Sequence, residues 1–326
     1  MTRISDALSS EIRRRGKPVI SSFEIERLIY DLYQRGEYEG KSLLLRSQLP
    51  SSRIVASLKN ALIDHSNRYS SAYRMVDPED LDKISEELER FTRSTLISDK
   101  NFPASICRVS KIPDSTPEEL CCIVDPWCFV SHLSAMQQWS LSNRNPVALY
   151  LTRPKSSLWR EKAKAELLSV YAFLDLSEGF PHPRERVTFP KVLRRRTLTI
   201  YEPGYLGQYI QVPDSETRIA TVGQTFRDML HEPALCGGMG HVLDVWEKHA
   251  ETYLNEIIET LNNPESRSTK ISFVRAGYIL ADRLKISDSR IDAWEAYAER
   301  GGSRKLDPER PFEPTFSERW MLSLNA

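Results

Sequence analysis

Long apolar runs are missing from this 326-residue chain. Its most apolar stretch, Leu120 to Val130, is broken by Asp125 and Pro126, well short of the roughly 18 apolar residues expected of a membrane-spanning helix. Met1 to Lys17 carry charges throughout and lack the apolar centre of an export signal. Glycine numbers only 13 and proline 19, which argues against collagen-like or low-complexity structure. Cysteine stops at five, an odd count in a chain long enough to build cores without covalent staples. That argues against a secreted disulfide scaffold and for a reducing, cytoplasmic setting. Net charge is absent too, with Lys+Arg and Asp+Glu both at 45, so the chain is neither a uniformly basic nor a uniformly acidic protein. What is present, 40% hydrophobic and 28% charged residues, suits a folded chain, of about two domains by length.

The neutral total hides an asymmetry. Residues 1–76 hold 13 Lys+Arg against 8 Asp+Glu, and the remainder holds 32 against 37. The basic front also carries three helical patterns. The first, Thr2 to Arg15, has a stripe of Ile4, Ala7, Leu8, Glu11 and Ile12 and ends in Arg13, Arg14 and Arg15 before Gly16 and Pro18. Val19 and Ile20 suit a short strand. Ser21 to Glu24 forms a capping-box signature, opening a helix that stops before Gly36. The third helix follows Pro50 and buries Ile54, Val55, Leu58, Ala61 and Leu62. Its open side, with Ser52 at its start, offers Arg53, Ser57, Lys59 and Asn60, small residues for close approach and donors for phosphates and base edges. Arg68, Tyr69 and Arg74 follow, in a wing loop at 66–71 and a strand at 72–76. This order predicts an N-terminal winged helix-turn-helix that puts its third helix in the major groove of double-stranded DNA. A small helical bundle used only for packing is the competing reading.

A charged helix over 79–95, with Leu81, Ile84, Leu88 and Phe91 inward, predicts a connector, and Asp99 to Pro103 a boundary. Strands are expected at 105–109, 120–124, 147–151, 198–201, 209–212 and 219–222, and helices at 129–139, 158–171 and 224–230. Thereafter the chain reads as nearly all helix, with one long stripe from Gly240 to Leu261. The expected class is α+β: a winged helix at 1–76, a connector at 77–103, a mixed α/β domain at 104–230 and a helical subdomain at 231–326.

Signs of chemistry are few. Cys107, Cys121, Cys122, Cys128 and Cys236 form no C-x2-C pair, so buried apolar thiols are expected rather than zinc ligands. His241 and His249 are eight apart and cannot share a metal across one helical turn. Cys236 to Gly240 reads as a tight helix connection, and Gly301-Gly302 as a helix stop. Arg194, Arg195 and Arg196 form the densest basic run of the back half, a solvated face or a secondary nucleic-acid patch. No nucleophile signature, catalytic constellation, metal site or cofactor motif emerges. An enzyme acting on nucleic acid, delivered by the front module, or a protein-interaction regulator stays open as an alternative.

Two segments of the back half resemble a known family. Asp125-Pro126-Trp127-Cys128-Phe129-Val130-Ser131-His132-Leu133-Ser134-Ala135-Met136 resembles the Ser-x-Leu-Ser-Ala helix of AbiEi-family antitoxins. Thr225-Phe226-Arg227-Asp228-Met229-Leu230, then Pro233 and Cys236-Gly237-Gly238, is similar to the family's Thr-x-x-Asp-Met-Leu, Pro, Gly-Gly signature. Gly223-Gln224 departs from it, standing where many relatives carry an acidic residue and an Arg. The resemblance covers roughly residues 1–260. It implies an antitoxin of a type IV toxin–antitoxin system that represses its own promoter through inverted repeats. It further implies antagonism of a nucleotidyltransferase-type toxin without a stable complex. In that pattern Asp228 and Gly237 would shape a turn and a helix start rather than perform chemistry.

Overall fold

The computed structural model describes residues 4–25, 27–28, 90–170, 184–299 and 304–326. In chain order these contain α1 (Ile4–Arg15), β1 (Val19–Ser21), β2 (Leu96–Ser98), β3 (Ile106–Val109), α2 (Pro117–Val124), β4 (Phe129–Val130), α3 (His132–Gln138), β5 (Leu149–Thr152), α4 (Ser156–Val170), β6 (Val192–Leu193), β7 (Arg196–Tyr201), β8 (Tyr209–Gln211), β9 (Arg218–Ala220), α5 (Val222–His231), α6 (Met239–His249), α7 (Leu254–Asn262), α8 (Lys270–Gly277), α9 (Ser289–Asp292), β10 (Phe316–Ser317) and β11 (Leu322–Ser323). The protein is mixed α+β. Two compact units emerge, 1–126 with 156–193 and 127–155 with 194–326.

In the first unit, α1 buries Leu8 and Ile12 and leaves Arg13 to Arg15 outward. Glu11 pairs with Arg14 at 2.7 Å and Arg15 at 3.3 Å, which holds its carboxyl down at about 2. Gly16 turns the chain at φ 69, a left-handed value that suits glycine. β1 then pairs antiparallel with β3, and β3 with β2, giving the order β1-β3-β2. The capping box forms: Ser21 Oγ accepts from Glu24 N at 3.2 Å, while Ser21 N donates back to Glu24 Oε2 at 3.1 Å. Ser9 Oγ and Thr95 Oγ1, 2.7 Å apart and buried, tie α1 to the residue before β2.

This pairing differs from the boundary expected at Asp99 to Pro103. Those residues lie in the loop joining two paired strands, β2 and β3. Residues 90–95 are helical and run straight into β2 rather than into a linker. The expected cut at 76 lies outside the described residues, and that at 103 falls inside the β2–β3 hairpin. The expected strand at 120–124 is also replaced, by α2. Thr116 Oγ1 accepts from Glu119 N at 3.3 Å, Pro117 takes the first turn, and Glu118 and Glu119 favour the positive helix end. All five residues Leu120 to Val124 are buried, so no period is visible in their sequence.

In the second unit the strands run in the order β7-β5-β4-β9-β8. β5 and β7 are parallel, as are β4 and β9; β4 with β5 and β8 with β9 are antiparallel. The expected helix at 129–139 starts instead as strand β4, and α3 begins only after it. The long stripe after Gly240 is likewise split, into α6 and α7. The core gathers Phe226, Trp246, Ile257, Phe273, Trp294 and Trp320, with Phe226 edge-on to Trp246 at 5.1 Å. Helix α5 is buried from Val222 to Leu230. Gly223 permits this, because a Cβ there would lie 2.2 Å from Thr260 Oγ1 and 2.3 Å from the Glu256 carbonyl oxygen. Among the described residues no helix is long and apolar enough to cross a membrane.

Candidate functional site

The residues assigned to DNA contact, Ser52, Arg53, Ser57, Lys59, Asn60, Arg68, Tyr69 and Arg74, lie outside the described residues, as do the expected third helix, the wing at 66–71, the strand at 72–76 and Gly301-Gly302. Of the secondary basic run, only Arg195 is exposed. Arg194 and Arg195 occupy left-handed backbone at φ 47 and 70, and Arg196 donates to the Pro146 carbonyl oxygen at 2.9 Å. The three therefore do not present one open cationic face.

All five cysteines are buried and stand outside any disulfide; burial pushes the Cys107 thiol up to about 11. His241 is hydrogen-bonded to Ser142 Oγ at 2.8 Å. Gly237 and Gly238 turn the chain at φ 91 and 87, and Arg144 donates to the Gly237 carbonyl oxygen at 3.0 Å. The tight connection expected at Cys236 to Gly240 is thus what forms.

The second unit instead assembles a polar cluster that the sequence patterns do not announce. Both family-like segments contribute. After β4, Ser131 and His132 turn into α3, with His132 at φ 49 and 1% exposed. Thr152 Oγ1 donates to Ser131 Oγ at 2.8 Å, and Ser131 Oγ lies 2.8 Å from His132 Nδ1. The Ser131 proton is then free to reach Nδ1, which leaves the ring proton on Nε2. That Nε2 is buried without a partner. Burial, then the charge of Arg227, hold the imidazole neutral, down at about 3.

Arg227 and Asp228 come from α5, at 1% and 4% exposure. Arg227 Nη1 donates to the Tyr205 hydroxyl, and its guanidinium carbon lies 4.4 Å from the Tyr205 ring centroid. Nη2 reaches the Arg267 carbonyl oxygen at 3.3 Å, while Nε is buried with no acceptor. Asp228 Oδ1 accepts from Gln224 Nε2 at 2.7 Å. Burial outweighs Arg227 and raises the Asp228 carboxyl to about 6. Gln224 in turn accepts from Gln208 N at 3.1 Å, so the departure at Gly223-Gln224 is built into the packing of α5. His231, at the end of the same helix, is pushed down to about 4 by burial and then Arg227. Tyr201 donates to Glu232 Oε1 at 3.2 Å and sits edge-on to His132 at 5.1 Å.

The cluster is hidden in the sequence because Arg227 and Asp228 are adjacent charges that read as surface residues. A charged pair inside the apolar frame Phe226, Met229 and Leu230 is the one signal that points to it.

The chain is thus an α+β protein whose second unit buries an Arg–Asp–His cluster. No protein-family model matches the chain, and comparison with curated proteins finds no match. Among solved structures it is similar to the crystal structure of the RV2827C protein from Mycobacterium tuberculosis, at 11% identity and a TM-score of 0.40, over 98% of this chain and 90% of that one.

Proposed function

We propose that the protein is a DNA-binding regulator and antitoxin: an N-terminal winged helix that represses its own promoter, followed by a non-enzymatic body that counteracts a nucleotidyltransferase-type toxin. One observation carries the DNA-binding part. A helix, α1, precedes a short strand, a capped helix follows it, and that strand pairs with a later hairpin in the order β1-β3-β2. A winged helix uses this order, and the sequence between, 29–89, includes Arg53, Lys59 and Asn60, the residues expected on a basic recognition helix. The resemblance of the 125–136 and 225–238 segments to AbiEi-family antitoxins supports the second role.

The test is a gel-shift titration of the promoter upstream of this gene. Arg53→Ala with Lys59→Ala should weaken binding to every sequence and lower the salt slope by about 1 for each phosphate no longer neutralised. Asn60→Ala should cost roughly 1–3 kcal/mol at one base pair. Unchanged affinity in the double variant would remove the DNA-contact assignment. For the antitoxin role, co-expression with a neighbouring nucleotidyltransferase should restore growth, and failure to do so rejects it.

A further inference from the structure

The cluster under Tyr205 holds more hydrogen-bond donors than the protein satisfies. His132 Nε2 and Arg227 Nε are both buried and without an acceptor. A dry, unpaired polar group costs about 1–3 kcal/mol, and native interiors leave few of them. His132 adds a left-handed backbone at φ 49, a strained conformation for a residue with a side chain. Two such costs, at His132 and at Arg227, whose charge the imidazole feels, call for a compensating partner.

We infer that this cluster is a binding site for a phosphate group, with the loop 202–208 as its cover. The sign follows from the groups present. The unpaired atoms are N–H donors, which exclude a cation. Burial first, and then the charge of Arg227, keep both His132 and His231 neutral, so the one cation of the cluster with an unpaired donor is Arg227. Among anions, phosphate presents several terminal oxygens at once, enough to meet His132 and Arg227 together. Asp228, raised by burial, gives up its charge more readily than an ordinary carboxyl as the anion arrives. Glu232, 37% exposed, stays at the rim, held by Tyr201.

The cover is visible in the loop itself. Tyr205 occupies the face of the guanidinium and its hydroxyl takes the Arg227 Nη1 donor. Gly204 precedes it and Gly207, at φ 78, follows. A phosphate oxygen in place of the Tyr205 hydroxyl exchanges a neutral acceptor for a charged one, and charge-assisted bonds are roughly twice as strong. The loop therefore acts as an internal competitor that a phosphate displaces.

The experiment is calorimetric titration of the full-length protein with inorganic phosphate, with adenosine 5′-monophosphate, and with a short oligonucleotide bearing either a 5′-phosphate or a 5′-hydroxyl. Saturable binding of inorganic phosphate or adenosine 5′-monophosphate is expected, and of the two oligonucleotides the 5′-phosphate form should bind tighter than the 5′-hydroxyl form, since the DNA contact proposed above would hold both alike. The tightest probe identifies the source as free ion, nucleotide or nucleic-acid end. Tyr205→Ala removes the competitor and should tighten phosphate by about tenfold, or about 1.4 kcal/mol. Arg227→Gln and His132→Gln should each weaken it by about tenfold or more. If Arg227→Gln fails to fold, Tyr205→Ala decides. Absence of saturable binding in both the native chain and Tyr205→Ala overturns the inference, as does equal affinity in the native chain and all folded variants. The result is independent of Arg53 and Lys59, so the DNA reading stands or falls separately.

Discussion

Gly223 and Gly277 show how single positions set the packing of the second unit. A Cβ on Gly277 would lie 2.2 Å from the Trp320 ring, just as one on Gly223 would meet Thr260 and the Glu256 backbone. Overpacking of this kind costs about 1–3 kcal/mol or more. Gly223→Ala should therefore lower the urea midpoint of the full chain without changing its slope, and an unchanged midpoint would show that α5 and α7 can part at little cost. The buried histidines make a second residue-scale prediction. His231 is lowered to about 4 in the fold from 6.5, so the unfolded chain binds protons first as pH falls. The stability this residue contributes is present above about 6.5 and is lost as pH falls toward 4. Asp228 works in the opposite direction over an overlapping window: its raised value makes the protonated fold the more favourable one, and its contribution is lost as pH rises through about 6. His231→Gln should flatten the acid side of the stability profile by no more than a few kcal/mol, seen by denaturant melts at a series of pH values. An unaltered profile would mean the imidazole does not stay neutral.

Elements show where the sequence is legible and where it is not. The Ser21–Glu24 box is readable because its hydrogen bonds are local, and it forms. Ser21→Ala should cost about 1 kcal/mol, measurable as a shift in the thermal midpoint; a neutral result would show that pairing of β1 with β3 alone holds that corner. Strands β3, β5, β7, β8 and β9 fall close to their expected places because β-branched and aromatic residues cluster there. Helix α2 defeats the periodicity argument because burial on every side erases its period, and the start signal Thr116-Pro117-Glu118-Glu119 decides the matter. The break before α3 depends on His132 adopting a positive φ, which composition does not announce. The polar cluster is illegible for a related reason. Its members lie far apart in sequence, at 131–132, 201–205 and 227–232; the pairing of β4, β5 and β7 joins the first two, and α5 brings the third by following β9, itself paired with β4.

At the scale of the molecule, neither unit is a single stretch of chain, since 156–193 belongs with the front and 127–155 with the back. Truncation is therefore a sharp probe. A fragment ending at residue 103 lacks β3, the middle strand of the first sheet. It should give no cooperative thermal transition by circular dichroism. A cooperative melt from that fragment would mean that β3 is dispensable. Fragments meant to keep the second unit whole have to retain 127–155 together with 194–326.

The pairing of β1 with β3 has one more consequence. Because residues 19–21 are stitched to 106–108, the chain between them leaves and returns at one doorway. A stretch with anchored ends can lengthen, shorten or exchange its surface chemistry while the frame that holds it keeps its register. Changes in that excursion short of Thr95 and β2 would then leave the pairing of β1, β3 and β2 in place.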